Sequence, residues 1–227
     1  MNRLPKEIVL EILNFIPDHE LPGLHYVFRK QVIEQHIPLR TASSTIHCQG
    51  DAARARRFPR SNYTLFVYNS SLYSLLEPEE YSKVSKIYSC VYIPSIFENL
   101  RYLNISHTSL RQLPPDLISL KELNCSSSKL QELPDSYSGL EVLDASYTAI
   151  KEIPETYKNL RILNLYSSKV IELCPEFKEM RELNIGMTHI KEIPETYTLI
   201  RKLNYRLSNL SGLPESLNQL ERLLKTT

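Results

Sequence analysis

Glycine is scarce in this chain: five in 227 residues, at Gly23, Gly50, Gly139, Gly186 and Gly212. None lies near another, so no glycine-rich loop can cradle a phosphate. The six histidines form no H-E-x-x-H, and His47–Cys48 has no second Cys or His at zinc spacing. The four cysteines, Cys48, Cys90, Cys125 and Cys174, form no C-x-x-C pair. They read as reduced thiols of a cytosolic or nuclear protein. No apolar run is long enough to span a bilayer. The N-terminal "MNRLPKEIVLEILNF" carries acidic residues inside its apolar pattern and no small-residue cleavage site, so it does not read as a signal peptide. A net charge of +1 advertises no polyanionic partner. Nothing assembles a base and an orienting group beside a nucleophile. The expectation is a protein that is not an enzyme, with no cofactor, metal, small-molecule substrate or membrane.

What is present is repetition. "IKEIPETY" occurs letter for letter at 150–157 and again at 190–197. Rows of twenty from Leu100 begin Leu100, Leu120, Leu140, Leu160, Met180 and Ile200. The fourth column is Leu103, Leu123, Leu143, Leu163, Leu183 and Leu203. The sixth is Ile105, Cys125, Ala145, Leu165, Ile185 and Tyr205, and the eleventh and fourteenth are also aliphatic. A proline occupies the fifteenth in five of six rows, with Cys174 as the exception. The eighteenth is Leu117, Tyr137, Tyr157, Phe177, Tyr197 and Leu217. A fixed period without insertion marks a solenoid.

The pattern L-x-x-L-x-L-x-x-(S/T)-x-L-x-x-L-P, over residues 100–223, resembles the leucine-rich repeat family. Thr108, Ser128, Thr148, Ser168, Thr188 and Ser208 stand where that family usually has asparagine. Their hydroxyls can still satisfy backbone groups at the turn. The resemblance implies one short strand per coil, stacked into a parallel sheet on the concave side. Twenty residues leave no room for a long helix on the return, so extended or single-turn 3₁₀ segments are expected there. The aromatic column then plugs the convex side of the core. Worn repeats are expected over 63–81 and 84–94, since an end coil must cap the core. "LERLLKTT" reads as part of a seventh coil without a cap, which could support a homodimer through that coil.

Residues 1–36 follow a different pattern. "LPKEIVLEILNFIP" places Leu4, Ile8, Ile12, Leu13 and Ile16 at helical spacing with Pro5 near a helix start, and the stretch after it offers Leu21, Leu24 and Val27 as a second apolar stripe. The order resembles the F-box family, which implies a small helical module docking the Skp-type adaptor of cullin–RING ubiquitin ligases through those residues. Two departures stand out: the family's tryptophan is Gln31 in a chain with no tryptophan, and Pro22–Gly23 interrupt the second helix. The other reading of 1–36 is a helical cap on the first repeat. The fold expected is therefore α/β: a helical F-box-like module (1–36), a connector or irregular first coil (37–62), and a leucine-rich repeat solenoid (63–227). Together the two resemblances imply a ligase substrate receptor, the alternative being a stand-alone scaffold or decoy, in the cytoplasm or nucleus.

Alternate side chains of each strand should face the concave solvent side. Tyr102, Val142, Tyr147, Ile162, Tyr166 and Met187 are the candidate partner-binding residues, all but Tyr102 side by side across three coils. Asn104, Asn124, Asp144, Asn164, Asn184 and Asn204 form a fifth column that could tie coils together as a stacked ladder. Arg101, Lys121, Arg161, Arg181 and Arg201 make a basic stripe broken by Glu141, and Glu132, Glu152, Glu172 and Glu192 make an acidic one. Both read as solvated faces. "ARARRFPR" reads as a solvated connector, with nucleic-acid contact or a nuclear address the less favoured readings.

Overall fold

Three residues per coil are enough to build this sheet, because each strand pairs with the same three columns of its neighbours. The computed structural model describes residues 44–46, 63–67, 76, 78–89 and 92–217. Six strands repeat at the twenty-residue period: β4 (Tyr102–Asn104), β5 (Glu122–Asn124), β6 (Val142–Asp144), β7 (Ile162–Asn164), β8 (Glu182–Asn184) and β9 (Lys202–Asn204). They are preceded by β1 (Ser44–Ile46), β2 (Tyr63–Val67) and β3 (Val84–Ser89). All nine form one parallel sheet in sequence order. Leu103 stands opposite Leu123, Leu143 opposite Leu163, and so on without a slip from β4 to β9. The one irregularity lies between Tyr63 and Thr64, where β2 meets β3. β1 falls in the stretch expected to be a connector or irregular first coil. The F-box-like residues, Leu4 through Val27, and "LERLLKTT" lie outside the described residues.

The backbone ladder continues past each strand. The Cys125 N–H reaches Asp144 O at 2.8 Å, and the Tyr147 N–H reaches Tyr166 O at 2.9 Å; the equivalent bonds recur from coil to coil. Second-column amides bond the other way, as the Arg161 N–H does to Glu141 O at 2.8 Å, so each coil satisfies its amides on both neighbours, which is what backbone groups removed from water require. Parallel sheets normally need cover on both faces. Here the return limb of the same coil covers the inner face, and the outer face carries polar and apolar side chains side by side.

The first-column residues from Leu100 to Ile200 are all buried, as are the fourth-column leucines from Leu103 to Leu183. Tyr205 departs from its column: it is 36% exposed, whereas Ile105, Cys125, Ala145, Leu165 and Ile185 are fully buried. Burial pushes the Cys125 thiol far up from its ordinary value, and the Asp144 charge adds to this, so it is inert core.

On the convex side the described return limbs hold no long helix, in line with the short segments expected, and most end in two tandem turns. The Tyr157 N–H closes one turn on Pro154 O, and the Leu160 N–H closes the next on Tyr157 O, each at 3.1 Å. Proline's fixed φ suits the limb entering the first turn. A single 3₁₀ turn occurs on this side at Glu215–Leu217, and a longer one lies ahead of β3 at Pro78–Lys83. Among the described residues there is no α-helix, and no helix long and apolar enough to cross a membrane.

The tyrosine column does more than plug the core. Each phenol donates to a carbonyl of the preceding coil: Tyr157 to Pro134 O at 2.7 Å, Tyr197 to Cys174 O at 2.8 Å, and Tyr137 to Pro114 O. Thr156 and Thr196 add a second bond one residue away, to Asp135 O and Pro175 O. Phe177 and Glu176 can make neither tie in that way, so the seam between the third and fourth coils has a purely apolar plug. Burial, as the largest cause, raises the pKa of Tyr137, Tyr157 and Tyr197 far above the usual phenol range.

Candidate concave binding face

Each strand exits into the same bend. The eighth-column residues His107, Ser127, Tyr147, Ser167, Met187 and Leu207 all have φ between 53° and 58°. That is the left-handed region, and none of them is glycine or asparagine. Three features hold the bend. The fifth-column side chain accepts the N–H two residues on; Asn124 Oδ1 takes it from Ser126 at 3.0 Å, and Asp144 Oδ1 from Ser146 at 3.0 Å. The ninth-column threonine hydroxyls donate back to the sixth-column carbonyls, as Thr148 does to Ala145 O at 2.6 Å and Thr188 to Ile185 O at 2.6 Å. The eighth N–H bonds to the next coil. Two serines in this column differ: Ser128 Oγ accepts the Leu130 N–H instead, and the Ser168 hydroxyl is buried without a partner among the described residues.

The fifth column therefore differs from the expected ladder. Its Oδ1 atoms are spent inside each coil, as in Asn104 to Ser106, Asn164 to Tyr166, Asn184 to Gly186 and Asn204 to Arg206. One bond in the column crosses between coils: Asn164 Nδ2 donates to Asp144 Oδ2 at 3.0 Å. A carboxylate has a second acceptor oxygen to offer the neighbouring amide, and Asp144 is the column's only acid.

The bend swings eighth-column side chains outward at the rim of the concave face. Tyr147 is 58% exposed and Met187 48%. The Tyr147 and Tyr166 rings lie 5.4 Å apart at 58°, and the Tyr166 hydroxyl donates to Met187 Sδ at 2.9 Å. Gly186 makes this possible. A Cβ there would sit 2.8 Å from Tyr166 Cδ2 and 3.2 Å from Arg206 O, so the ring occupies the space a side chain would need. Val142 and Ile162 stand opposite each other in β6 and β7. The structure thus brings Tyr147, Tyr166 and Met187 into contact and pairs Val142 with Ile162. Tyr102 sits apart, two strands from Val142, and packs instead on Tyr88, with ring centroids 5.0 Å apart and Lys86 Nζ 5.7 Å from its own. Lys86 and Tyr88 went unnoticed in the sequence because β3 lies outside the regular repeat.

The charged stripes are solvent-exposed. Glu141, the acidic break in the basic stripe, pairs with Lys121 and Arg161 at 3.2 Å each, neutralising its neighbours on both sides. Glu182 pairs with Lys202 at 2.8 Å. Such exposed pairs contribute little to stability. Among the described residues no group of three or more His, Cys, Asp and Glu could hold a metal ion.

The sequence profile described as Leucine Rich Repeat matches residues 99–120. A leucine-rich repeat protein of Leptospira interrogans superposes with a TM-score of 0.55 at 19% identity, over 71% of this chain and 45% of that one. An internalin of Listeria monocytogenes superposes with a TM-score of 0.55 at 12% identity, over 70% and 62%. The fold is a leucine-rich repeat solenoid. The plant peptide hormone receptor RGFR1, in complex with RGF2, gives a TM-score of 0.55 at 18% identity, over 78% of this chain and 33% of the receptor. In all three cases the solenoid spans less than two thirds of the other protein's length. No curated protein sequence matches the chain.

Proposed function

We propose that this protein is a protein-interaction scaffold that uses the concave face of its solenoid, centred on Tyr147, Tyr166, Met187, Val142 and Ile162, to bind a protein partner. The observation that carries this reading is the contact chain Tyr147–Tyr166–Met187 at the rim of the concave face. Adjoining aromatic and methionine side chains suit a protein interface. The similarity to a receptor solved with RGF2 bound is in keeping with it.

The F-box resemblance of residues 1–36 supports a more specific role: a substrate receptor in which Leu4, Pro5, Ile8, Ile12, Leu13, Ile16, Leu21, Leu24 and Val27 dock a Skp-type adaptor while the concave face selects the target. Such a receptor works inside the cell, in cytoplasm or nucleus. The test is a binding assay between the purified protein and the adaptor, with a Leu4→Ala, Ile8→Ala, Leu13→Ala variant beside it. Binding lost in a variant that keeps its circular dichroism spectrum supports the receptor. No binding by either form leaves the stand-alone scaffold.

A further inference from the structure

The concave face carries two tilted tyrosine pairs. The first, Tyr88–Tyr102, has a lysine of the same chain on it: Lys86 Nζ lies 5.7 Å from the Tyr102 centroid. A cation over an aromatic face within about 6 Å is attracted by the ring quadrupole. The second pair, Tyr147–Tyr166, has similar geometry, 5.4 Å and 58°. Among the described residues no lysine or arginine lies over it.

A carboxylate, Asp144, stands three residues before Tyr147 in the same coil. Asp144 is half-buried, and its two oxygens are tied to the residue before Tyr147 and, through Asn164, to the Tyr166 N–H. Every other fifth-column residue from Asn104 to Asn204 is a neutral amide, so the one fixed negative charge of that column stands in the coil of Tyr147, next to that of Tyr166. The third column of neighbouring strands adds Glu122, and Glu182 already bound to Lys202. Of the basic stripe, Lys121 and Arg161 are paired to Glu141, and Arg181 precedes β8, at the other end of the strand from the tyrosine rim; Arg111 and Lys129 line a groove on one flank of Tyr147. Two ring faces, a thioether and a carboxylate are the chemistry that receives a cation on an apolar stem.

We infer that the Tyr147–Tyr166 pair, with Asp144 as its counter-charge, is the receptor for a lysine or arginine side chain presented by a protein partner. This rests on the concave face being the binding face and names what it recognises. The tyrosines supply the faces, Met187, which touches Tyr166, receives the aliphatic stem, and Asp144 sets the sign.

The repeat provides controls that keep the fold. Asp144→Asn installs the residue the other five coils carry, and Tyr147→Ser and Tyr166→Ser install residues found in the same columns of neighbouring coils. The experiment is selection of a randomised 12-residue displayed peptide library on the full chain, followed by affinities of the enriched peptides for the three variants. The expected result is enrichment of one lysine or arginine beside apolar residues. Binding should then fall by roughly 3- to 30-fold in each tyrosine variant, and in Asp144→Asn as well. Peptides without a basic residue that lose affinity in the tyrosine variants but not in Asp144→Asn would overturn the cation inference and leave the protein-binding face standing. Peptides indifferent to all three substitutions, or no enriched peptides at all, would overturn this inference together with the choice of face.

Discussion

Tyr157→Phe and Phe177→Tyr are opposite edits of one device. The Tyr157 phenol donates to Pro134 O at 2.7 Å across the seam between two coils. Its removal does not orphan that carbonyl at the other coil's turn, because the Tyr137 N–H also reaches Pro134 O, at 3.4 Å. The loss is therefore one net hydrogen bond, about 0.5–1.5 kcal/mol, and not the larger cost of stranding a buried polar group. Phe177 fills the same slot one coil on and is fully buried. A hydroxyl added there faces Pro154 O, the counterpart of Pro134 O, and should return a similar amount. The ring of Tyr137, Tyr157 or Tyr197 already fits this slot, so no overpacking penalty is expected. Urea unfolding followed by circular dichroism reads both effects, with the slope unchanged and only the midpoint moving. The double variant should lie close to wild type. If Tyr157→Phe costs nothing and Phe177→Tyr destabilises by more than about 1 kcal/mol, the column is a steric plug and the account of convex carbonyl ties is wrong.

Three further outcomes follow from the geometry. Tyr137, Tyr157 and Tyr197 have phenol pKa values raised by folding, so the unfolded chain releases protons first as pH climbs through about 10; stability is full below that pH and falls above it, by up to about 1.4 kcal/mol per pH unit for each phenol, and a series of urea midpoints from neutral to alkaline pH should show a shallower fall in Tyr157→Phe. Ser127 holds a φ of 53°, so Ser127→Gly should raise stability by about 0.5–1 kcal/mol and the β-branched Ser127→Val should lower it, read by thermal unfolding. Cys174 stands where five other coils have proline, so Cys174→Pro should stabilise by about 0.4–1 kcal/mol through the unfolded chain, in the same assay.

The period of twenty, the buried columns and the parallel stacking were legible in the sequence, because a core face that recurs in register can be buried only by stacking one coil on the next. The pairing of Val142 with Ile162 was legible for the same reason, residues twenty apart being neighbours, whereas the Tyr147–Tyr166–Met187 contacts join the seventh and eighth columns and needed the structure. What needed the tertiary structure was direction and partner choice. Nothing in His, Ser, Tyr, Ser, Met and Leu marks an eighth column at positive φ; the bend is imposed by fifth-column acceptors, threonine hydroxyls and the next coil's carbonyls acting together. The fifth column looked like a ladder between coils, yet its oxygens close on amides two residues away, since the bend brings those N–H groups nearer than the neighbouring coil. Gly186 read as an isolated glycine until the Tyr166 ring was seen to lie where its side chain would be. Sequence spacing specifies which residues share a column; only the folded backbone decides which way each side chain leaves it and what it then touches.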